Sequence, residues 1–199
     1  MVTNLKNDLF EIIWKGAYKM AKPYHHGNLR EELIERGIEY IDEKGIEELS
    51  MRALAKMCDV SSAAPYAHFR NKEEFLEAVK VYITDKFSGC LKSTIEKNKD
   101  RSSLLVELGV SYVVFFYDRP SYFSFLFNHG RIVPEDYEPY LIFKGSAKDV
   151  MGDLYSEDKL IALWAMVHGL SQLSYAAGVI DGKNIEKKIA GILTSVQVL

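Results

Sequence analysis

Four helix-starting signals fall between Asn28 and Asn71, too close together for anything but short helices joined by tight turns. Asn28 is a strong N-cap, and Glu31 stands three positions later, as in a capping box. Leu29, Leu33, Ile34, Gly37, Ile38 and Ile41 then share one helical face, and Gly45 closes it. Ser50 opens a second helix, with Met51, Leu54, Ala55 and Cys58 as its short apolar stripe. Asp59-Val60-Ser61 interrupts that stripe, and Asp tolerates the left-handed backbone of a tight turn. Ser61 or Ser62 caps a third short helix, Ala63 to Phe69, whose Pro65 sits in the first turn, where a missing N–H costs little. Asn71, with Glu74 in the capping-box position, starts a long helix; Phe75, Leu76, Val79, Ile83 and Phe87 carry its apolar face to about residue 95. Two short helices, a turn and a capped successor make a helix-turn-helix pattern, whose second short helix enters the major groove of DNA.

The rest of the chain limits what surrounds this module. The 199 residues divide into a leader (1–27), the short-helix block (28–70) and a block of long, aromatic-rich helical patterns (71–199). No strand alternation and no internal repeat is visible, so the expected fold is all-α: a helix-turn-helix domain followed by a longer helical domain. Apolar residues make up 48% of the chain, enough for a sizeable core. The net charge is −3, so any nucleic-acid contact must use a local basic face rather than a polybasic coat. Cys58 and Cys90 form no CxxC pair, which argues against a zinc site or disulfide framework and fits a reducing, cytoplasmic setting. The most apolar run, Val110 to Tyr117, is too short to span a bilayer, so no membrane partner is expected. In the leader, Leu5, Leu9, Ile12 and Ile13 allow a short amphipathic helix, while Met20 offers an alternative start.

The string Ser50 to Phe75 resembles the DNA-binding domain of TetR-family regulators. The shared pattern is a hydroxyl residue opening the second helix (Ser50), an apolar-Ala pair (Leu54-Ala55), Val60-Ser61 at the turn, Tyr66-Ala67-His68-Phe69, and Lys72-Glu73-Glu74-Phe75. Asp59 departs from the family's usual Gly, and Pro65 from its commoner aliphatic residue. Near the C-terminus, Trp164-Ala-Met-Val-His168-Gly169-Leu170 resembles the Trp…His-Gly motif of one ligand-domain subgroup, and Tyr117 to Phe123 fits it too. The resemblance implies a homodimer formed by the last two helices, about Asp158 to Ala177 and Ile185 to Val198. Such a dimer presents two reading heads to a palindromic operator, with half-sites about 34 Å apart.

Base reading needs small or hydrogen-bonding residues close to the groove floor, and Ser61, Ser62, Ala63 and Ala64 suit that. Arg52, just after Ser50, is the long-armed candidate for guanine or phosphate. Tyr66, His68 and Lys72 are expected on phosphates, with Lys22, His25, His26 and Arg30 reaching backbone or minor groove. Tyr66 and His68 also read as packing residues, and Arg52 as a solvated charge. The His25-His26 pair lacks acidic or Cys partners at ligand spacing, so no metal is expected. Glu31, Glu32, Glu35, Glu39, Asp42 and Glu43 make the first helix acidic, and that face must point away from DNA.

In the third block, Pro120 should start a new helix and fold the surrounding aromatics around a bend. Tyr112, Phe115, Phe116, Tyr122, Phe123, Phe127, Trp164 and His168 are the candidate ligand-binding residues, with Asn128 and His129 as further polar ends. An ordinary aromatic core is the plainer reading of each. No charged pair marks the ligand as ionic, so a small hydrophobic or weakly polar effector is expected and no other cofactor. Apolar spacing at Leu160, Leu163, Trp164, Val167, Leu170 and Leu173 marks the next-to-last helix, where Gly169 permits a neighbouring helix to come close. The functional expectation is a ligand-responsive transcriptional repressor. An activator of the same fold is the main rival; an enzyme is disfavoured because no Ser/His/Asp order, phosphate loop or HExxH motif appears.

Overall fold

A computed structural model describes residues 29–128, 133–176 and 184–196, and all of their regular structure is helical. The leader, the Met20 start and the Asn28 cap lie outside the described residues. The first helix, α1 (Leu29–Lys44), buries Leu33, Ile34, Gly37, Ile38 and Ile41, the face expected from spacing. Gly45 ends it with φ +88°, a conformation that glycine adopts without strain. In α2 (Met51–Met57) the Ser50 side chain accepts from the Ala53 N–H. The helix closes in a Schellman arrangement. Asp59, at φ +53°, donates its N–H to Lys56, and Val60 donates to Ala55. Asp59 therefore takes the role usually given to Gly.

The expected third helix is corrected. Residues Ala64–Ala67 form a 3-10 turn, not an α-helix running to Phe69. Successive i to i+3 bonds hold it: Ala64 to Ser61, Tyr66 to Ala63, and His68 to Pro65. An i to i+4 bond from Phe69 to Pro65 closes its end, and Pro65 disfavours the α conformation of Ala64 before it. Neither Ser61 nor Ser62 caps it; Ala63 holds that position, with no side-chain bond. Asn71 does cap α3 (Lys72–Lys97), accepting from the Glu74 N–H. Glu74 closes the box one residue early, accepting from the N–H of Arg70.

At 26 residues, α3 is roughly 39 Å long. Five more helices follow: α4 (Leu104–Tyr117), α5 (Pro120–Asn128), α6 (Glu138–Met151), α7 (Glu157–Ala176) and α8 (Ile185–Ser195). Pro120 begins α5, as expected. The hub is α4, which packs against α3, α5, α6, α7 and α8. A Cβ at its Gly109 would lie 2.6 Å from Leu193 Cδ1 and 3.2 Å from Val167 Cγ1, so this glycine admits α7 and α8. Gly169, the residue expected to do so, has nothing within 4 Å of its Cβ position. The α7 stripe is divided: Leu160, Leu163 and Val167 are buried, whereas Leu173 is 49% exposed.

Candidate nucleic-acid interface and ligand cavity

The turn between α2 and α3 brings most of the expected reading residues to one edge. Arg52, Ser61, Ser62, Ala63, Tyr66 and His68 are exposed, Ala64 is half-buried, and Ser50 is an exposed cap. Phe69 and Pro65 anchor the turn in the core, Phe69 meeting Phe75 edge-on at 5.1 Å. Tyr66 is 52% exposed. Arg30 joins the edge from α1, its guanidinium 5.3 Å from the Phe69 ring centre. Lys22, His25 and His26 lie outside the described residues.

The Lys72 ammonium donates to the Ile46 carbonyl at 2.6 Å and to that of Glu47, holding the α1–α2 loop beside the start of α3. The cation that sequence reasoning missed is Arg70, whose side chain is 87% exposed and bonds Glu74 at 2.8 Å. Its place just before the Asn71 cap was the available signal. Together with the first N–H groups of α3, it puts positive potential beside the reading turn.

The acidic face of α1 turns toward the C-terminal helices. Tyr122 of α5 donates to Glu35 (2.7 and 2.9 Å to its two oxygens). Tyr82 of α3 shares its proton between Glu31, at 2.8 Å, and Glu35. Lys86 completes the cluster, 3.3 Å from Glu31. Burial first, then bonding to the carboxylates, holds both tyrosines well above their ordinary pKa, so they remain hydrogen-bond donors. This cluster ties the reading domain to α3 and α5.

The expected ligand-lining aromatics divide. Tyr112, Phe115, Phe116, Tyr122 and Phe123 are buried, while Phe127 and His168 are half-buried. They pack on one another. Phe116 lies 5.3 Å from Phe123, Phe123 4.7 Å from Phe127, and Phe127 4.6 Å from His168. A cavity of about 720 Å³ opens between α6 and α7, and of the expected residues only Trp164 lines it. Its other walls include Pro134, Tyr137, Tyr140, Leu141, Ile161 and Ala165, with Lys144 and Glu157 paired at 3.0 Å. Sequence reasoning missed Tyr137 and Tyr140, which stand outside the dense aromatic run. His129 lies outside the described residues, and Asn128 is exposed.

Burial lowers the His168 pKa, so its ring is neutral and its Nδ1 faces the Tyr112 hydroxyl at 3.1 Å. The unfolded chain then binds this proton more readily than the folded one, and stability must fall as pH drops through about 6.5. We expect urea unfolding to show a larger loss between pH 7.5 and 5.5 in the wild type than in His168→Gln. Equal losses would remove His168 as the cause.

Residues 33–79 match the sequence profile of bacterial regulatory proteins of the tetR family. No curated protein matches the chain. Three solved structures share its fold. A tetR-family regulatory protein from Rhodococcus RHA1 is 16% identical, with TM-score 0.64, covering 83% of this chain and 95% of its own. FadR from Bacillus subtilis, in complex with stearoyl-CoA, is 15% identical, with TM-score 0.66, covering 82% and 96%. AibR, in complex with isovaleryl coenzyme A and operator DNA, is 17% identical, with TM-score 0.63, covering 84% and 96%. Among the described residues, no helix is long and apolar enough to cross a membrane.

Proposed function

We propose that this chain, whose residues 33–79 match the bacterial regulatory proteins of the tetR family, is a ligand-responsive repressor that binds a palindromic operator as a homodimer. The observation that carries the reading is the exposed edge of Arg52, Ser61, Ser62, Tyr66 and His68, set on a buried Pro65 and Phe69. Small side chains at the turn let it approach the groove floor, and Arg52, Arg70 and Tyr66 supply longer reach to bases and phosphates.

A homodimer is supported by α7. Ile161, Ala165, Gly169 and Leu173 recur every four residues; Ile161 is 57% exposed, and Gly169 leaves room for another backbone. The Trp164…His168-Gly169 spacing supports placing the ligand domain in that motif's subgroup. Ligand response is supported by the cavity and by the Glu35 cluster, which gives the C-terminal helices a grip on α1. A ligand preferring one tilt of α3 weakens operator binding by its differential affinity for the two states, typically 5- to 150-fold.

The test is a gel shift at stated salt on DNA flanking the gene. A salt-sensitive shift is expected, with Arg52→Ala and Tyr66→Ala each weakening it about tenfold. No shift from the wild type at low salt sinks the reading. Isovaleryl-CoA and stearoyl-CoA, held by two of the similar structures, are comparison effectors in the same assay. An effector that strengthens the shift favours the opposite sign of regulation.

A further inference from the structure

We propose that a second copy of this chain lies across the groove between α6 and α7, so that the subunit contact runs from α7 onto α6. The proposal rests on the homodimer argued above and extends its contact surface. Along α7 the exposed apolar residues run from Ile161 to Leu173, a stretch of about 18 Å. A strip that long and one helix wide covers about 200 Å², against the roughly 800 Å² that each partner of a stable dimer buries. A neighbouring helix must supply the rest.

The two neighbours differ in what they offer. α8 buries Ile185, Ile189 and Leu193 in the chain's own core and leaves Glu186, Lys187, Lys188, Thr194 and Ser195 exposed. α6 instead exposes Leu141, 45% of it open to solvent. Between Leu141 and Ile161 the groove is walled by Tyr140, Trp164 and Ala165. Homodimer interfaces are about 65% apolar, which the α6 side matches better than the α8 side. The partner surface expected on the last two helices therefore extends to α6.

Ile161 and Ala165 belong to both the α7 stripe and the groove wall, so the two surfaces are continuous. Gly169, with nothing within 4 Å of its Cβ position, lets a partner backbone come close to α7 and reach the groove beside it. Lys144 and Glu157, which also line the groove, already pair at 3.0 Å, and covering a pair costs less than covering a lone charge. Two-fold symmetry repeats the contact, each copy covering the other's groove.

Sedimentation velocity across a concentration series reads the assembly of the full-length chain, and the wild type should sediment as a dimer. Leu141→Asp puts a carboxylate into each covered groove and should raise the dissociation constant at least about a hundredfold. Val81→Asp, at a similarly exposed position on α3, should change it less than about twofold. The sequence holds two tryptophans, Trp14 and Trp164, so full-length Trp14→Phe leaves Trp164 as a single fluorescent indole. Diluting that chain through dissociation should move its emission to the red, as the groove meets water. Three results overturn the proposal: Leu141→Asp dimerising as tightly as the wild type, Val81→Asp dissociating as readily as Leu141→Asp, or Trp164 emission unchanged through dissociation. The first leaves the homodimer reading standing without its α6 contact. A wild type that stays a monomer at every concentration rejects the homodimer reading itself. If Leu141→Asp loses its helical circular dichroism, the Trp164 emission decides.

Discussion

Phe87→Ala should cost the chain about 3–5 kcal/mol of folding stability. Phe87 is fully buried on α3, with its ring 4.8 Å from Phe116, 5.0 Å from Phe115 and 5.0 Å from Tyr112. Truncation removes the ring's transfer free energy and leaves a cavity that three large rings cannot collapse into. For a chain of this length the melting temperature should fall by roughly 10 °C. Because α3 packs against α1 as well as α4, the loss should appear in one cooperative transition. Circular dichroism melts and urea titrations check this. A cost below about 1 kcal/mol would show that the aromatic core is looser than its ring distances imply.

The second large effect concerns the carboxylate–tyrosine cluster. Tyr82→Phe combined with Tyr122→Phe keeps both rings and removes both hydroxyls. Glu31 and Glu35 then lose donors at 2.8 and 2.7 Å. Hydrogen bonds to charged groups contribute about 1.5–3 kcal/mol each, and the two share Glu35, so a joint loss of about 3 kcal/mol is expected. The functional effect is more specific. Tyr122 belongs to α5 and Glu35 to α1, so their bond fixes how the reading domain sits on the ligand domain. With the bond gone, an effector that changes operator affinity 5- to 150-fold in the wild type should change it several-fold less in the variant. Gel-shift titrations with and without effector measure that ratio. An unchanged ratio would mean that the signal bypasses α1 and travels through α3 alone.

The N-terminal domain was the more legible half, for a local reason. Caps, turn residues and 3.6-residue spacing act within a few positions, so Ser50, Asp59 and Asn71 take the roles their chemistry implies. The exception is the segment after Val60. Its composition reads as a short helix, but Pro65 restrains Ala64 before it, and the segment forms a 3-10 turn. Only folding brings the Ile46 carbonyl within reach of Lys72.

The C-terminal domain was legible as helices, while the packing of its aromatics was not. Aromatic residues in a run look alike whether they line a space or fill one, since both require the same apolar faces. Which they do depends on the angle between α4, α5 and α7, and on Gly109 letting Leu193 in. The cavity took Tyr137 and Tyr140 from outside the run. Glu31 and Glu35 read as part of an acidic face turned away from DNA; their partners Tyr82 and Tyr122 lie 51 and 87 positions away.

The sequence by itself determined the helical class, the caps and turns of the reading domain, and the residues that belong to its exposed edge, because each rests on interactions within one or two helical turns. Only the tertiary structure decided where the empty space lies and which distant hydroxyls meet Glu35. Those outcomes depend on how rigid helices pack side by side, and a difference of a few ångströms there separates a filled core from a cavity.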